Sequence, residues 1–510
     1  MKSNSLNFLI AFVASILLVS CDSETKINES STTNYSVSIV DSGNKNAPAL
    51  QSFTHATHNG EWLLFAGRTN QSDDNGGVHD MGQNSNYADT SFPPRSFNDS
   101  LFVYNPSTDA KPISISVAQL MNTMASKYTS YPTDTLKKYS GAFRNTNSLV
   151  KQVDDYLYVI GGYGPISFST PKNGYITYNQ VVKIHVPSLI SLVKGDYASV
   201  DASKLFAFAQ NKNLISTGGE LHYFNGTFYL VGGHNFGNTA PNGQKYVDAV
   251  YPFSISNSSS NNQVLTFFES TPISDESDPK GISADDTSIF RRRDGPITPS
   301  LYYNPITKKY EESIAIYTGV FKPGEDLEAW NDAIYVHPNW AGNNNRLYTY
   351  DKGYNQNNYN VYSCPSVVAF DSISKVAHTF LLGGIGDGKG APAGHLSGFT
   401  NTGVHIQLNV DGSPLTSSNT VFSQNLFGGT TNSAPFYGAE AIFFKSNGFT
   451  SIKESEEIID ALSTFSDSKT AVEIGYVFGG IESFHSNPGT YGRTKSRASN
   501  KVWKVTLTKK

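Results

Sequence analysis

The sequence predicts an all-β protein, a β-propeller of six blades closed by its own N-terminal strand. Three observations predict it: six apolar, aromatic-rich runs that each end in a Gly-Gly or near-Gly-Gly step, a wealth of turn residues between them, and a last unit that lacks an outer strand. The runs are Trp62 to Gly67, Leu157 to Gly162, Phe228 to Gly233, Ile314 to Gly319, Phe380 to Gly384 and Gly475 to Gly480. Each reads as a short strand buried on both faces, with glycines that let the backbone pass close to a neighbour. A small sheet of this kind cannot bury both faces alone, so its repetition implies stacking into a ring.

Composition agrees. Charged residues make up 16% of the 510, aromatic residues 13%, and there are 43 Gly and 23 Pro, a mixture suited to short strands and tight turns. Length alone would suggest three domains, but one closed ring absorbs it. Ser455 to Leu462 is the best helical candidate, expected as a short surface insertion. A net charge of −5 gives no electrostatic ground for nucleic-acid binding, which needs concentrated Lys and Arg.

Taken in order, the chain opens with Lys2 and an apolar stretch, Leu6 to Val19, too short to span a bilayer comfortably and typical of a secretory leader. The leader ends in Leu18-Val19-Ser20-Cys21, which resembles a bacterial lipobox. That resemblance implies removal of residues 1–20, lipidation of Cys21, and anchoring to the outer membrane of the cell envelope. Asp22 and Glu24 are similar to the acidic sorting signals of outward-facing lipoproteins. Cys364 is then the only free thiol, so no intramolecular disulfide can form. Residues 21–34 read as a flexible tether and residues 35–510 as the propeller.

Within each unit the order is strand a, a turn, strand b ending at the glycines, then c and d. His58-Asn59-Gly60, Val153-Asp154-Asp155 and Phe224-Asn225-Gly226 are turns before b. Strands c are expected at Ser100–Tyr104, Gln180–Ile184, Asp248–Phe253, Ala333–Val336, Val404–Leu408 and Lys501–Leu507. After the last, the chain stops at Lys510 without a d strand, and Tyr35 to Val40 can supply it, protecting both edges.

Because strands alternate in direction, the b–c loops and the approaches to each strand a share one face. That face collects Arg68, His79, Tyr163, His234, His395, His485, Arg493, Lys495 and Arg497. Arg144, Glu220, Arg292, Arg293, Asp294, Cys364, Tyr437 and Glu440 surround the axial opening, and the loop carrying Tyr128 lies over the same rim. His58 falls on the opposite face.

From about Leu50 onward the units resemble Kelch repeats. Asn59 to Leu64, Asp155 to Gly164, Thr227 to Gly233, Arg292-Arg293-Asp294 with Pro299, and Thr318 to Phe321 are similar to segments of Kelch-like surface lipoproteins of Bacteroidetes. Most of that group has no assigned chemistry. A weaker resemblance connects the chain to propeller-fold ulvan lyases, which cleave a sulfated uronate polymer with His, Tyr and Arg. Those lyases have seven blades, which makes seven the alternative to six here.

The resemblance implies a lyase acting by β-elimination on an anionic, uronate-containing glycan. Such chemistry needs a neutraliser of the carboxylate, a base and an acid. Arginine suits the first because its fork pairs with a carboxylate, histidine the second, and tyrosine the third. The catalytic candidates are His79, Tyr128, Arg144, Tyr163 and His234, with Arg144 foremost. The substrate-binding candidates are Arg68, Arg292, Arg293, His395, His485 and Arg493. The other reading is a non-catalytic glycan- or protein-binding propeller. No ligand cluster of His-x-x-x-His, Cys-x-x-Cys or Glu-x-x-His spacing occurs, so no cofactor is expected and a structural metal ion, though open, has no ligand motif behind it. His55 and His58 read as unrelated residues, the glycines of 383–388 as part of the repeat rather than a phosphate loop, and Cys364 as packing. The expected partners are an anionic polysaccharide and, through the lipid, a membrane; a monomer is expected.

Overall fold

Strand alternation and the Gly-terminated runs build six antiparallel blades around an axis in the computed structural model, each with a four-stranded core that gains two further strands in the third blade and one in the fifth. Residues 1–33, 70–91, 93, 170–173, 238–239, 241–242, 276–286, 321, 324–328, 331, 341–345, 355–362, 387–397, 413–414, 422–424, 429–433 and 487–495 lie outside what it describes; the rest of the chain is described. The inner strands are Thr54–His58, Leu149–Val153, Thr217–Phe224, Ile297–Asn304, Ser366–Asp371 and Ile442–Lys445. Their hairpin partners are Glu61–Phe65, Tyr156–Ile160, Thr227–Phe236, Lys309–Tyr317, Val376–Ile385 and Ala471–Phe478, so all six runs are the second strands of blades. The third strands contain or closely overlap the six expected segments.

The ring closes as expected. The N-terminal strand Tyr35–Asp41 pairs antiparallel with Val502–Lys509, from Tyr35 opposite Lys509 to Asp41 opposite Trp503. Alternation buries Tyr35, Val37 and Ile39 and leaves Val40 exposed. Each pair of neighbouring blades shares its own apolar layer; Trp62, Phe444, Phe478 and Val502, for example, join the sixth blade to the first.

The Gly-Gly steps bind blade to blade. Gly161 and Gly162 have φ of +68° and +86°, and a Cβ on Gly161 would stand 2.0 Å from the Ser216 carbonyl oxygen of the next blade. That oxygen accepts the Gly162 N–H at 3.0 Å. Equivalent bonds run from Gly67 to Asn145, Gly233 to Arg292, Gly384 to Tyr437 and Gly480 to Leu50. The glycines thus allow both a left-handed exit and a close inter-blade approach.

Two parts of the chain depart from expectation. Between the first and second blades lie a helix, Val117–Lys127, and a shorter one, Thr133–Tyr139. The first starts in a capping box of Ser116 and Gln119 and buries Val117, Leu120 and Met124. The segment expected as a surface helix is instead a plug. Ile458–Asp460 pairs parallel with the inner strand of the fifth blade, and only Ala461–Thr464 is helical. Ser455, Ile458 and Ile459 are buried.

Candidate functional site

Just before each inner strand the chain adopts one left-handed residue. These are Ser52, Asn147, Gly218, Asp294, Ser363 and Glu440, with φ between +50° and +69°. Each N–H from Asn147 round to Glu440 donates to the carbonyl of its predecessor, at 2.7 to 3.2 Å. Between Glu440 and Ser52 the ring is closed by side chains. The Ser52 hydroxyl donates to Glu440 Oε2 at 2.6 Å, and the Asn147 amide donates to the same oxygen at 3.1 Å. Five non-glycine residues held left-handed are costly positions, and such strain concentrates at functional sites.

Below this ring an axial channel of about 850 Å³ runs to the hairpin turns at Asp154 and Asn225 on the opposite face. The plug closes part of that end, and Lys151 of the second blade pairs with Glu457 of the plug. The channel is rich in acid. Asp294 and Glu440 lie at the ring, with Glu220, Glu312 and Glu457 further along the wall. Arg293 Nη1 donates to Asp294 Oδ2 at 2.7 Å, so Asp294 and Glu457 each have a cation. Glu220 accepts no hydrogen bond among the described residues, and its side chain is exposed to the channel.

Enclosure governs the protonation of these groups. It pushes Glu220 up to about 8, helped by the charges of Glu440 and Glu457, and Glu312 up to about 7. Glu440 also rises, through burial and then the neighbouring Asp294 charge, while Arg293 moderates the rise of Asp294. Burial holds His55 and His222 on the same wall down to about 4, hence neutral. The His222 ring is bonded to the Ile297 backbone, and its Nε2 has no partner. Cys364 packs partly buried on the wall with its thiol pushed up to about 12 by burial, as a packing residue should.

A pH dependence follows from these directions. Histidines kept neutral in the fold (His55, His222, His234, His378 and His405) lose stability as pH falls through the ordinary histidine range. Carboxyls with raised pKa work the other way. Their contribution is complete below the ordinary glutamate range and is lost as pH rises towards about 8. The thermal midpoint should therefore peak near pH 6.5, roughly the ordinary histidine value, and fall above it. Glu220→Gln should flatten that fall. An equal fall in the variant would mean that Glu220 is not the titrating group.

The residues singled out from sequence divide into three sets. His79, His395, Arg493 and Cys21 lie outside the described residues. Arg68, Arg144, Tyr163, His234 and Arg293 come together in one cluster on the rim above blades one to four. Arg68 lies 4.4 Å over Phe92, whose ring is 5.3 Å from Tyr163; Tyr163 meets Phe236, and Phe236 stacks on His234. Arg144 sits 4.0 Å over Phe168, with its Nε 3.1 Å from Asp99 Oδ1 and its side chain 27% exposed. Arg293 joins the cluster to the ring through Tyr246 and Asp294. His234 is buried and its pKa is driven well down by burial, then by Arg293 and Arg291. The Gln244 amide nitrogen lies 2.6 Å from His234 Nδ1, an arrangement that leaves Nε2 to carry the ring proton.

The third set lies elsewhere. Tyr128 caps the helix Val117–Lys127 and packs on the core between the first two blades, not in the rim cluster. His485 follows a short strand of the sixth blade, its carbonyl accepting the Ser483 hydroxyl at 2.6 Å. Arg292 is placed inside the protein rather than at the mouth. It is 1% exposed, bonds Asp332 and the carbonyls of Ile289, Thr318 and Asp332, and lies 4.3 Å from the Trp330 ring centroid. Every direction of its fork is occupied by protein, so it acts as a clamp. Arg497, also expected at this face, bonds Glu482, which in turn accepts the Tyr437 hydroxyl at 2.8 Å.

His222, Glu312, Lys151 and Glu457 carry the channel chemistry and were not among the candidates from sequence. Among the described residues no group of three or more His, Cys, Asp or Glu is placed to hold a metal ion. The fold and the channel define the class: a six-bladed β-propeller with a carboxyl-rich axial cavity. No protein-family model matches the sequence, and no curated protein matches it.

Proposed function

We propose that this is a recognition propeller of the cell envelope that binds a saccharide in its axial channel. The observation that carries the reading is the channel itself. It is about 850 Å³ in volume, within the range of small-molecule sites, and lined by carboxyls, hydroxyls, neutral imidazoles and the side chains of Phe443 and Phe449. Hydroxyl-rich ligands need such a mixture, with polar groups to exchange hydrogen bonds and rings to cover apolar sugar faces. Titration calorimetry of the purified protein against neutral, amino and uronate oligosaccharides tests it. A saccharide should bind with a stoichiometry of one per chain. Absence of heat for every sugar would remove the reading.

A second reading, β-elimination on an anionic uronate glycan, is favoured by one observation: Arg68, Arg144, Tyr163 and His234 share the rim cluster. Two features weigh against it. Arg144 already faces Asp99, and His234 in its neutral form offers a donor rather than a base. The second is that Arg293 is already bonded to Asp294. Incubation with ulvan, followed by the absorbance of unsaturated uronate, decides between them. Product formation abolished by Arg144→Ala would establish the lyase and displace the recognition reading.

The lipobox supports anchoring through Cys21, with the tether ending where the closing strand begins at Tyr35. Among the described residues no helix is long and apolar enough to cross a membrane. In the full chain, Cys21→Ala should move the protein from the membrane fraction to the soluble one. An unchanged distribution would contradict the anchor.

A further inference from the structure

We propose that the hairpin-turn face of blades four to six rests on the membrane leaflet that holds the anchor. Ile306, Ile373 and Leu462 then sit in the lipid interface, and the rim cluster is turned away. This rests on the Cys21 anchor above and adds which surface meets the lipid. One turn recurs three times on this face. Asn304-Pro305-Ile306-Thr307-Lys308 in the fourth blade and Asp371-Ser372-Ile373-Ser374-Lys375 in the fifth each join the inner strand to its hairpin partner. In both, the first side chain accepts the N–H two residues on, at 2.9 Å, and the lysine is left-handed. Asn105-Pro106-Ser107-Thr108-Asp109 of the first blade makes the same turn, with the same bond at 2.9 Å and Asp109 left-handed. It carries Ser and Asp where the others carry Ile and Lys, so the turn itself needs neither.

Ile306 is 78% exposed and Ile373 75%, the highest values for large apolar side chains among the described residues, and Leu462 is 54% exposed. Neighbouring apolar tips of this kind mark a surface that a partner covers. The rings of Tyr310 and Phe370, 5.0 Å apart, join the two turns, and the short helix holding Leu462 packs on the fifth blade's inner strand. The entry of the chain into the fold identifies the partner. Asp371 accepts the Ile373 N–H at one oxygen and the Tyr35 hydroxyl at the other, and the Asn34 carbonyl accepts the Lys510 N–H at 2.7 Å. The segment leading back to Cys21 therefore departs beside the Ile373 turn, and a polar linker of its length averages roughly 20 Å. Exposed Lys308, Lys309, Lys469 and Lys510 flank the apolar tips, with Asp467 against them and Glu454 and Glu456 at the plug. Such lysines reach phosphate headgroups while the apolar side chains enter the layer beneath, and a lipid chain gains stable attachment from a second contact. The hairpin turns of the first three blades, Asn59-Gly60, Asp154-Asp155 and Asn225-Gly226, are polar, so the contact belongs to one half of the face.

The test uses the lipidated full-length chain in vesicles of phosphatidylethanolamine and phosphatidylglycerol, with nitroxide-labelled lipid as quencher. A polarity-sensitive fluorophore is attached to Ile306→Cys or Ile373→Cys, in a Cys364→Ala or Cys364→Ser background that keeps the thermal midpoint. Asn225→Cys, on the other half of the same face, and Ile166→Cys, an exposed apolar position beside the rim, serve as controls. The labels at Ile306 and Ile373 should shift to the blue and lose most of their emission to the quencher, and the controls should do neither. A chain that sediments with the vesicles while no label is quenched would overturn the inference and leave the anchor standing. A chain that does not sediment would overturn both. Quenching at Ile166 instead would put the rim on the membrane and overturn the inference. Equal quenching at Asn225 would overturn the assignment to blades four to six.

Discussion

Replacement of Arg292 by alanine is expected to cost about 3–5 kcal/mol of unfolding free energy, the usual effect of breaking a buried ion pair from one side. The guanidinium bonds Asp332 Oδ1 at 2.6 Å and three carbonyls at 2.7 to 3.2 Å, all within the fold. Its removal would leave the largely buried Asp332 carboxylate bonded by the Tyr350 hydroxyl but without its cation. The Arg292 carbonyl also takes the Gly233 N–H, so the residue ties the third blade's exit to the fourth blade's start. Arg292→Lys should recover little, because an ammonium cannot reproduce the fork. Urea unfolding of both variants measures this. A loss below about 1 kcal/mol, the range of an exposed pair, would show that the clamp is not structural.

Deletion of residues 1–41 is expected to be as damaging. The strand Tyr35–Asp41 covers Val502–Lys509 along its whole length, and Tyr35, Val37 and Ile39 fill the layer between the fifth and sixth blades. The Tyr35 hydroxyl donates to Asp371 of the fifth blade at 3.2 Å. Each buried side chain contributes about 1.5–3 kcal/mol before the cost of ordering the strand, against a total stability of about 5–15 kcal/mol. The truncated chain should also expose an unpaired edge and associate. A synthetic peptide of residues 34–42 added in trans should restore the thermal midpoint. A truncated protein with an unchanged midpoint and no association would refute the role of this strand in closure.

Both effects stem from features of unequal legibility. The closing strand could be read because the last unit ends without an outer partner while Tyr35 to Val40 alternates apolar and polar residues. The six Gly-terminated runs likewise gave the blade count, since only a left-handed exit tight against the next blade requires glycine there. Arg292 is different: in sequence a buried arginine looks like an exposed one, and its fate depends on Asp332 and carbonyls far along the chain.

The site was half legible. Strand alternation brings the loop residues to one face, and five of the expected rim residues do meet there. The same alternation, applied along Thr217–Phe224, places Glu220 and His222 together on the channel side, a signal that sequence reading could have used. The helix Val117–Lys127 also left a trace, in Ser116 with Gln119 and the spacing of Val117, Leu120 and Met124. The plug left none. Its Ser- and Glu-rich composition is that of a surface loop, yet Ile458 and Ile459 are buried against the fifth blade's inner strand and Glu457 meets Lys151 of another blade.

The most direct test is a crystal structure of the protein grown with the oligosaccharide that binds most tightly in calorimetry. The expected result is the sugar inside the axial channel, with at least one hydroxyl within hydrogen-bond distance of Glu220. Sugar bound instead on the rim between Arg68 and Arg144, with only water in the channel, would contradict it.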